Sequence, residues 1–296
     1  MRVLITGASG LLGKALIENN KANHEIIATY AGKYVMANHR RLKYFKLDIR
    51  DKTGYADLFK KYKPQVTIHT AGIGSPDFAE QNKELVSDIN LNGTKNIAEN
   101  CELFNSKLIF ISSNGIYDGG QAPYGEDDKA EPVNYYGVIK LKGEEAIKRA
   151  RIPHAIVRPI LMYGWNNPFE RANIVTQSIL KLQQGEKVYA YDNVYVNPLF
   201  NNSCAEVIWK IIDDNKICDY NIGGADRASI YQLIYKVAET FHLNKSLVIP
   251  VQQGYFNELV ERPRDTTLKT EKMEKELGIK PLTLGEGLTL MRDALK

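Results

Sequence analysis

Cysteine is scarce. Cys101, Cys204 and Cys218 are the three in 296 residues, too scattered for a metal spacing or a paired disulfide framework. They read as core thiols of a protein kept in a reducing compartment. The five histidines, His24, His39, His69, His154 and His242, stand singly, none with a second histidine or a carboxylate at ligand spacing, so no catalytic metal is expected. His69, inside a candidate strand, reads as a satisfied core side chain. No apolar run approaches the roughly 18 to 20 residues that cross a bilayer, and Gly7, Ser9 and Gly10 interrupt the apolar start well short of a secretory core. A soluble, cytoplasmic protein without a membrane partner is the expectation. Excess charge of one sign is missing too: 39 basic residues against 35 acidic give +4. These charges are spread through the chain, which gives nucleic acid no basic arm or stripe to bind. There is no Gly-x-Ser-x-Gly elbow to support a hydrolase triad, and no internal repeat or long linker.

What is present is an alternation. Short β-branched runs at 2–6, 25–29, 44–47, 66–70, 107–112 and 155–158 are separated by helical patterns at 11–19, 53–61, 84–101 and 135–149. Strand and helix in alternation predict an α/β fold with a parallel sheet covered on both faces. After Pro159 the chain turns to loops rich in Asn, Pro and Tyr, then to helices near 173–184 and 203–213. A late strand ends at Gly223-Gly224, and an amphipathic helix over 229–241 begins at Ser229 as a cap. The expected organisation is a domain over 1–160, to which segments near 195–225 return, and a smaller lobe formed mainly by 161–296.

The segment Gly7-Ala8-Ser9-Gly10-Leu11-Leu12-Gly13 sets three glycines at three-residue intervals between the first strand and the first helix. Glycines there allow a tight turn and close approach of a pyrophosphate to backbone, while the helix N-terminus supplies N–H donors. A glycine triplet alone is weak evidence; its place after the first strand of an alternating pattern makes it a dinucleotide loop of a Rossmann, doubly wound sheet. An acid for the ribose 2′-hydroxyl normally follows by about 20 residues, but here the chain reads Thr29-Tyr30-Ala31-Gly32-Lys33. Lys33, or the pair Arg40-Arg41, can instead neutralise a 2′-phosphate, which favours NADP over NAD; as surface charges they would decide nothing. Asp48-Ile49, after the third strand, is placed to receive the adenine edge or is a plain loop carboxylate and its neighbour.

The fifth strand ends in Ser112-Ser113-Asn114, and Tyr136-Gly-Val-Ile-Lys140 follows. Ligands of open parallel sheets bind beyond the carboxyl ends of the strands, and a four-residue spacing puts Tyr136 and Lys140 on one helix face. A phenol with a pKa near 10 needs a nearby ammonium to exchange protons readily at neutral pH. The expected roles are Ser113 on a carbonyl oxygen, Tyr136 as proton donor and Lys140 on the phenol and the nicotinamide ribose. Tyr-x-x-x-Lys is a weak motif in a chain with 17 tyrosines; the glycine loop and strand-end serines give it weight. Tyr135 points about 100° away, and Ser112 can structure the strand end.

Taken together, Thr6-Gly7-x-x-Gly10-x-x-Gly13, Thr70-Ala71-Gly72, Asn90, Ser112-Ser113 and Tyr136-x-x-x-Lys140 resemble the extended short-chain dehydrogenase/reductases, in the family's order along the entire chain. Within them, Ile111-Ser112-Ser113-Asn114-Gly115-Ile116-Tyr117-Asp118-Gly119, Pro123-Tyr124-x-Glu126-Asp127 and Glu261-Arg262-Pro263-Arg264-Asp265-Thr266-Thr267-Leu268-x-Thr270-x-Lys272 are similar to the dTDP-4-dehydrorhamnose reductase group. The resemblance implies a Rossmann domain with a small C-terminal α/β substrate-binding lobe, and reduction of a 4-keto group on a nucleotide-linked deoxysugar. It also implies a cofactor set that includes Ser9, Leu11, Leu12, Thr70, Ala71, Gly72, Asn90 and Ser112, and a homodimer. Two departures stand out. Ser113-Asn114-Gly115-Ile116-Tyr117 replaces the usual Thr-Asp-Tyr-Val-Phe, and Asp77-Phe78 stands where an Asp-Lys pair is common. They point to another substrate, or to a homologue resembling the regulatory β subunit of methionine adenosyltransferase. An epimerase or dehydratase with tightly held NAD is the remaining alternative.

Six further residues are candidates by residue type. Arg158, at a strand end, and Arg262 with Arg264 suit a diphosphate or cofactor phosphate through bidentate guanidinium geometry, or else make ordinary ion pairs. Asn197-Pro198 lines the substrate site or shapes a turn. Asn90, disfavoured inside a helix, is expected to be buried and hydrogen-bonded near the site, and Asn114 to meet substrate.

Overall fold

Residues 1–32 and 40–294 are described in a computed structural model; Lys33 lies outside them. The first half runs β1 (Arg2–Thr6), α1 (Leu11–Glu18), β2 (Glu25–Tyr30), β3 (Leu42–Lys46), α2 (Lys52–Tyr62), β4 (Val66–His69), α3 (Pro76–Gln81), α4 (Lys83–Ser87), α5 (Gly93–Phe104), β5 (Lys107–Ile111), α6 (Tyr135–Arg149) and β6 (His154–Pro159). The second half runs β7 (Met162–Tyr163), α7 (Ile174–Gln183), β8 (Val188–Tyr191), β9 (Tyr195–Val196), β10 (Leu199–Phe200), α8 (Asn201–Asp213), β11 (Tyr220–Ile222), β12 (Ala228–Ser229), α9 (Ile230–Thr240), β13 (Val248–Val251), α10 (Glu271–Leu277) and α11 (Leu284–Asp293).

Seven strands form one parallel sheet in the order β11-β6-β5-β4-β1-β2-β3. The order reverses direction beside β1, the switch point at which ligands of such sheets bind. Alternation along each strand divides the core. Val3, Ile5, Ile109 and Ile111 face Leu12 and Leu16 of α1 and Val207, Ile208 and Ile211 of α8. Leu4, Leu108 and Phe110 face Tyr55 and Phe59 of α2, Ile97 of α5 and Ile147 of α6. Because both faces are covered, the strands read as continuous apolar runs. β11, from late in the chain, completes the sheet beside β6.

A separate core joins Val175 and Ile179 of α7, Leu233, Ile234 and Val237 of α9, and Leu284, Leu288 and Met291 of α11. Capping boxes start two of these helices, Ser229 with Gln232 and Thr283 with Glu286, each satisfying two N–H groups that the first turn leaves open. α8 ties the later chain to the first helix: Asn201 Nδ2 donates to Leu11 O at 3.2 Å and Trp209 Nε1 to Leu16 O at 3.0 Å.

One expected helix is interrupted. The pattern over 84–101 becomes α4, a π turn at Asp88–Asn92, and α5. The turn carries Asn90, whose side chain accepts from Ile73 N at 2.8 Å and donates to Ile73 O at 2.9 Å. Thr94 Oγ1 takes up the Asn90 carbonyl at 2.7 Å. Side chain-to-backbone bonds of this kind compete with the helical ladder.

Candidate active site

The glycine loop is built by close approach. Gly7 has φ +66, and a Cβ on it would lie 2.7 Å from the Ala71 backbone; one on Gly13 would lie 2.4 Å from Gly7 O. Only glycine fits either place. Gly10 caps α1 with no side-chain hydrogen bond, and the first turn holds no acid, so the helix-end N–H groups remain available to an anion.

Behind the loop runs a chain of buried polar contacts. Thr6 Oγ1 meets His69 Nδ1 at 2.7 Å, His69 Nε2 meets Thr94 Oγ1 at 3.0 Å, and Thr94 leads to Asn90 and Ile73. Thr70 Oγ1 donates to Thr6 O at 2.6 Å. Burial, with the Lys140 charge adding to it, pushes His69 down to about 3, so the imidazole is neutral and each ring nitrogen serves a threonine. The chain fixes Thr70, Ala71 and Gly72 against the glycine loop.

Ser113 follows β5. Its Oγ accepts from Gly115 N at 3.0 Å and donates to Asn114 Oδ1 at 3.3 Å, and a Cβ on Gly115 would lie 3.3 Å from both that oxygen and a Tyr136 ring carbon, which sets the two side chains next to each other. Asn134 caps α6, accepting from Gly137 N at 3.1 Å, which sets the first turn carrying Tyr136. Lys140, one turn on, donates Nζ to Ile111 O at 2.9 Å. Ser113, Tyr136 and Lys140 therefore converge at the carboxyl end of β5. Tyr135 is turned away, bonding Lys83 O at 3.1 Å. Ser112 has a buried Oγ with no partner among the described residues, a polar atom of the kind a bound ligand satisfies.

The protonation states differ from the expected pairing. Lys140 bonds a carbonyl and not the phenol, and burial raises Tyr136, eased by the neighbouring Ser113 hydroxyl. Burial lowers Lys140 to about 8, opposed by Glu144. At neutral pH the phenol keeps its proton and the amine carries its charge.

Two expected contacts are corrected. Arg158, expected at a phosphate, is 4% exposed and grips Glu144 in a fork, Nε to Oε1 at 2.9 Å and Nη2 to Oε2 at 2.7 Å, with Asp219 at 3.2 Å. A guanidinium closed off in this way braces α6 against β6. Asn197, expected at the substrate, is buried and knits three segments together: Nδ2 donates to Gly224 O at 3.1 Å and Leu268 O at 3.0 Å, and Oδ1 accepts from Leu268 N at 3.0 Å.

Other candidates lie closer to the trio. Asn114 Nδ2 donates to Thr266 Oγ1 at 2.7 Å, and Asn134 Nδ2 to Glu261 O at 3.2 Å, so the segment 261–266 borders the site. Arg262 pairs there with Asp77 of α3 and with Glu258; Arg264, exposed, bonds Gln253 Oε1 at 3.1 Å. Tyr30 ends β2, and no acid follows it in Ala31-Gly32. Arg41 Nη1 bonds Asn23 O at 2.7 Å. Asp48 pairs with Arg50 at 2.7 Å beside buried Ile49.

Residues 1–296 match the family described as the RmlD substrate binding domain. The chain belongs to that family. Methionine adenosyltransferase 2 subunit beta of Xenopus laevis is 30% identical over 93% of this chain and 82% of its own length. The dTDP-4-dehydrorhamnose reductase of Aggregatibacter actinomycetemcomitans is 25% identical over 95% and 94%. The dTDP-4-dehydrorhamnose reductase of Bacillus anthracis, solved with NADP, shares the fold at a TM-score of 0.87, 24% identity and 99% coverage of both chains. Against this RmlD-family background, sequence reasoning missed the Asp77–Arg262–Glu258 contact, whose partners are joined only by the fold. It also missed Asn167 and Glu170, which lie against the glycine loop; no motif marks them.

Proposed function

We propose that the protein is an NAD(P)H-dependent reductase of a keto group on a nucleotide-linked deoxysugar, of the dTDP-4-dehydrorhamnose reductase kind, acting in the cytoplasm and preferring NADP. The observation that carries this reading is the convergence of Ser113, Tyr136 and Lys140 at the end of β5, beside a glycine loop whose helix has no side-chain cap and no acid in its first turn, in an RmlD-family chain. The cradle fits a dinucleotide: Gly7 and Gly13 leave backbone bare, Ser112 offers an unpaired hydroxyl, and no acid after β2 repels a 2′-phosphate. When bound, the nicotinamide supplies the hydride.

The residues supply the rest. Ser113 holds the carbonyl oxygen, and Tyr136, whose raised pKa keeps its proton in place, donates that proton to the oxygen as it gains charge. Lys140 exchanges the Ile111 carbonyl for ribose hydroxyls. Lys140→Ala is expected to weaken NADPH binding by about tenfold, roughly one charge-assisted hydrogen bond; an unchanged dissociation constant would contradict the ribose role. Since the amine loses its charge as pH rises through about 8, wild-type affinity should decline over that interval. Cys101, Cys204 and Cys218 are all free, in keeping with a reducing compartment, and among the described residues no helix is long and apolar enough to cross a membrane.

The relatives named as a methionine adenosyltransferase subunit favour a second reading, a cofactor-binding subunit without turnover. Titration with NADPH and NADH, followed by nicotinamide oxidation on a panel of 4-keto nucleotide sugars, separates the two. Oxidation with one member establishes the reductase. Tight binding without oxidation on any member, together with capture of a partner enzyme, supports the subunit. NAD retained through purification, with no net cofactor turnover, marks an epimerase or dehydratase.

A further inference from the structure

Between β7 and α7, residues 164–173 lie as a strap against the glycine loop. Buried Asn167 donates Nδ2 to Ser9 O at 2.6 Å, and Lys14 of α1 donates Nζ to Trp165 O at 3.4 Å. The Glu170 carboxylate lies beside Ser9, and its Oε1 lies 3.9 Å from where a Cβ on Gly10 would stand. The strap holds its own shape. Asn173 Nδ2 donates to Gly164 O and to Asn166 Oδ1, each at 2.7 Å, Asn166 Nδ2 to Arg171 O at 3.0 Å, and Glu170 N to Asn167 O at 3.0 Å. A carboxylate is thus presented to the helix end and glycine backbone that suit a phosphate.

We propose that Glu170 and Asn167 make the strap self-occluding: the carboxylate stands in for a cofactor phosphate on the glycine loop, and a dinucleotide binds by displacing it. The inference rests on the dinucleotide reading of that loop. The charged groups around Glu170 are Lys14 of α1, itself 3.9 Å from Glu18, and exposed Arg171 on the strap. Burial raises the Glu170 carboxyl to about 7, against the opposing pull of the neighbouring Ser9 side chain and Lys14. Above that pH the carboxylate is charged, binds the loop and repels an incoming phosphate. Below it the neutral acid does neither, so dinucleotide affinity falls as pH rises through about 7.

The test is calorimetric titration of wild type, Glu170→Gln and Asn167→Ala with NADPH at pH 6 and pH 8. The ratio to wild type cancels both the 2′-phosphate titration and the Lys140 decline. Glu170→Gln is expected to bind about tenfold tighter at pH 8 and within about twofold of wild type at pH 6. Asn167→Ala, which loosens the strap without changing its charge, should also bind more tightly at pH 8. Tryptic cleavage after Arg171 of the wild-type protein should accelerate when NADPH saturates it. Equal affinities of the three proteins overturn the proposal. So does weaker binding by the variants with slower cleavage after Arg171, since the strap would then clamp the cofactor. Failure of wild type and both variants alike to bind either NADPH or NADH overturns the dinucleotide reading itself, and the strap with it.

Discussion

Tyr136→Phe should lower turnover on the reducible 4-keto nucleotide sugar by about a thousandfold while leaving the NADPH dissociation constant within about twofold of wild type. Positioned general acids contribute roughly 10² to 10⁴ in rate, and the phenolic oxygen is all that this substitution removes. The ring stays, with Gly115 still beside it: a Cβ on Gly115 would lie 3.3 Å from a Tyr136 ring carbon, so the packing of the first turn of α6 is preserved. The loss should fall on kcat and kcat/KM together, as expected for an interaction made only in the transition state. Stopped-flow measurement of single-turnover NADPH oxidation checks this directly. Turnover at the wild-type rate would remove Tyr136 from the chemistry, and loss of cofactor binding would mean that it acts chiefly in holding the dinucleotide.

The second large effect is on stability. Glu144 is 1% exposed and Arg158 4%, so removing the carboxylate leaves a guanidinium in the protein interior with Asp219, which Lys148 also engages at 3.0 Å, as its remaining counter-charge. Glu144→Ala should cost about 3 kcal/mol, near the lower end for breaking a buried pair, and lower the melting midpoint by roughly 5 to 10 °C. The double variant Glu144→Leu with Arg158→Met should recover much of that loss, because removing both charges also removes their desolvation cost. Differential scanning calorimetry on the three proteins measures both effects. A midpoint for Glu144→Ala within 1 °C of wild type would show that Asp219 alone satisfies the arginine.

That pair also marks what could be read in the sequence and what could not. Arg158 at a strand end and Glu144 in a helix are each ordinary where they stand; only the packing of α6 on β6 brings them together. The parallel sheet was legible because its strands are unbroken β-branched runs, buried on both faces, with amphipathic helices between them. The trio was legible because a strand end and a four-residue helical spacing are local features. Two-residue strands such as Met162–Tyr163 and Leu199–Phe200 are too short to carry a period. The helix Leu284–Asp293 is masked by Gly285 and Gly287, poor helix formers. Gly287 is nevertheless required, since a Cβ there would lie 2.0 Å from Tyr163 Oη. The lysine's choice of the Ile111 carbonyl over the phenol depends on side-chain geometry that spacing does not specify.

The outermost strand of the sheet has a consequence for synthesis. β6 ends at Pro159, but its neighbour β11 does not begin until Tyr220, and α8, which covers one face of the sheet, lies between them. A ribosome that has released β6 must add about 60 more residues, several seconds of elongation, before that edge can be paired and that face covered. During this interval the growing chain carries an open row of backbone donors and acceptors next to bare aliphatic surface, the combination that invites pairing with another chain. Of the two carboxylates that hold Arg158 on the same strand, Glu144 precedes it in the chain and Asp219 is made only just before β11, so that charged cluster too is incomplete until then.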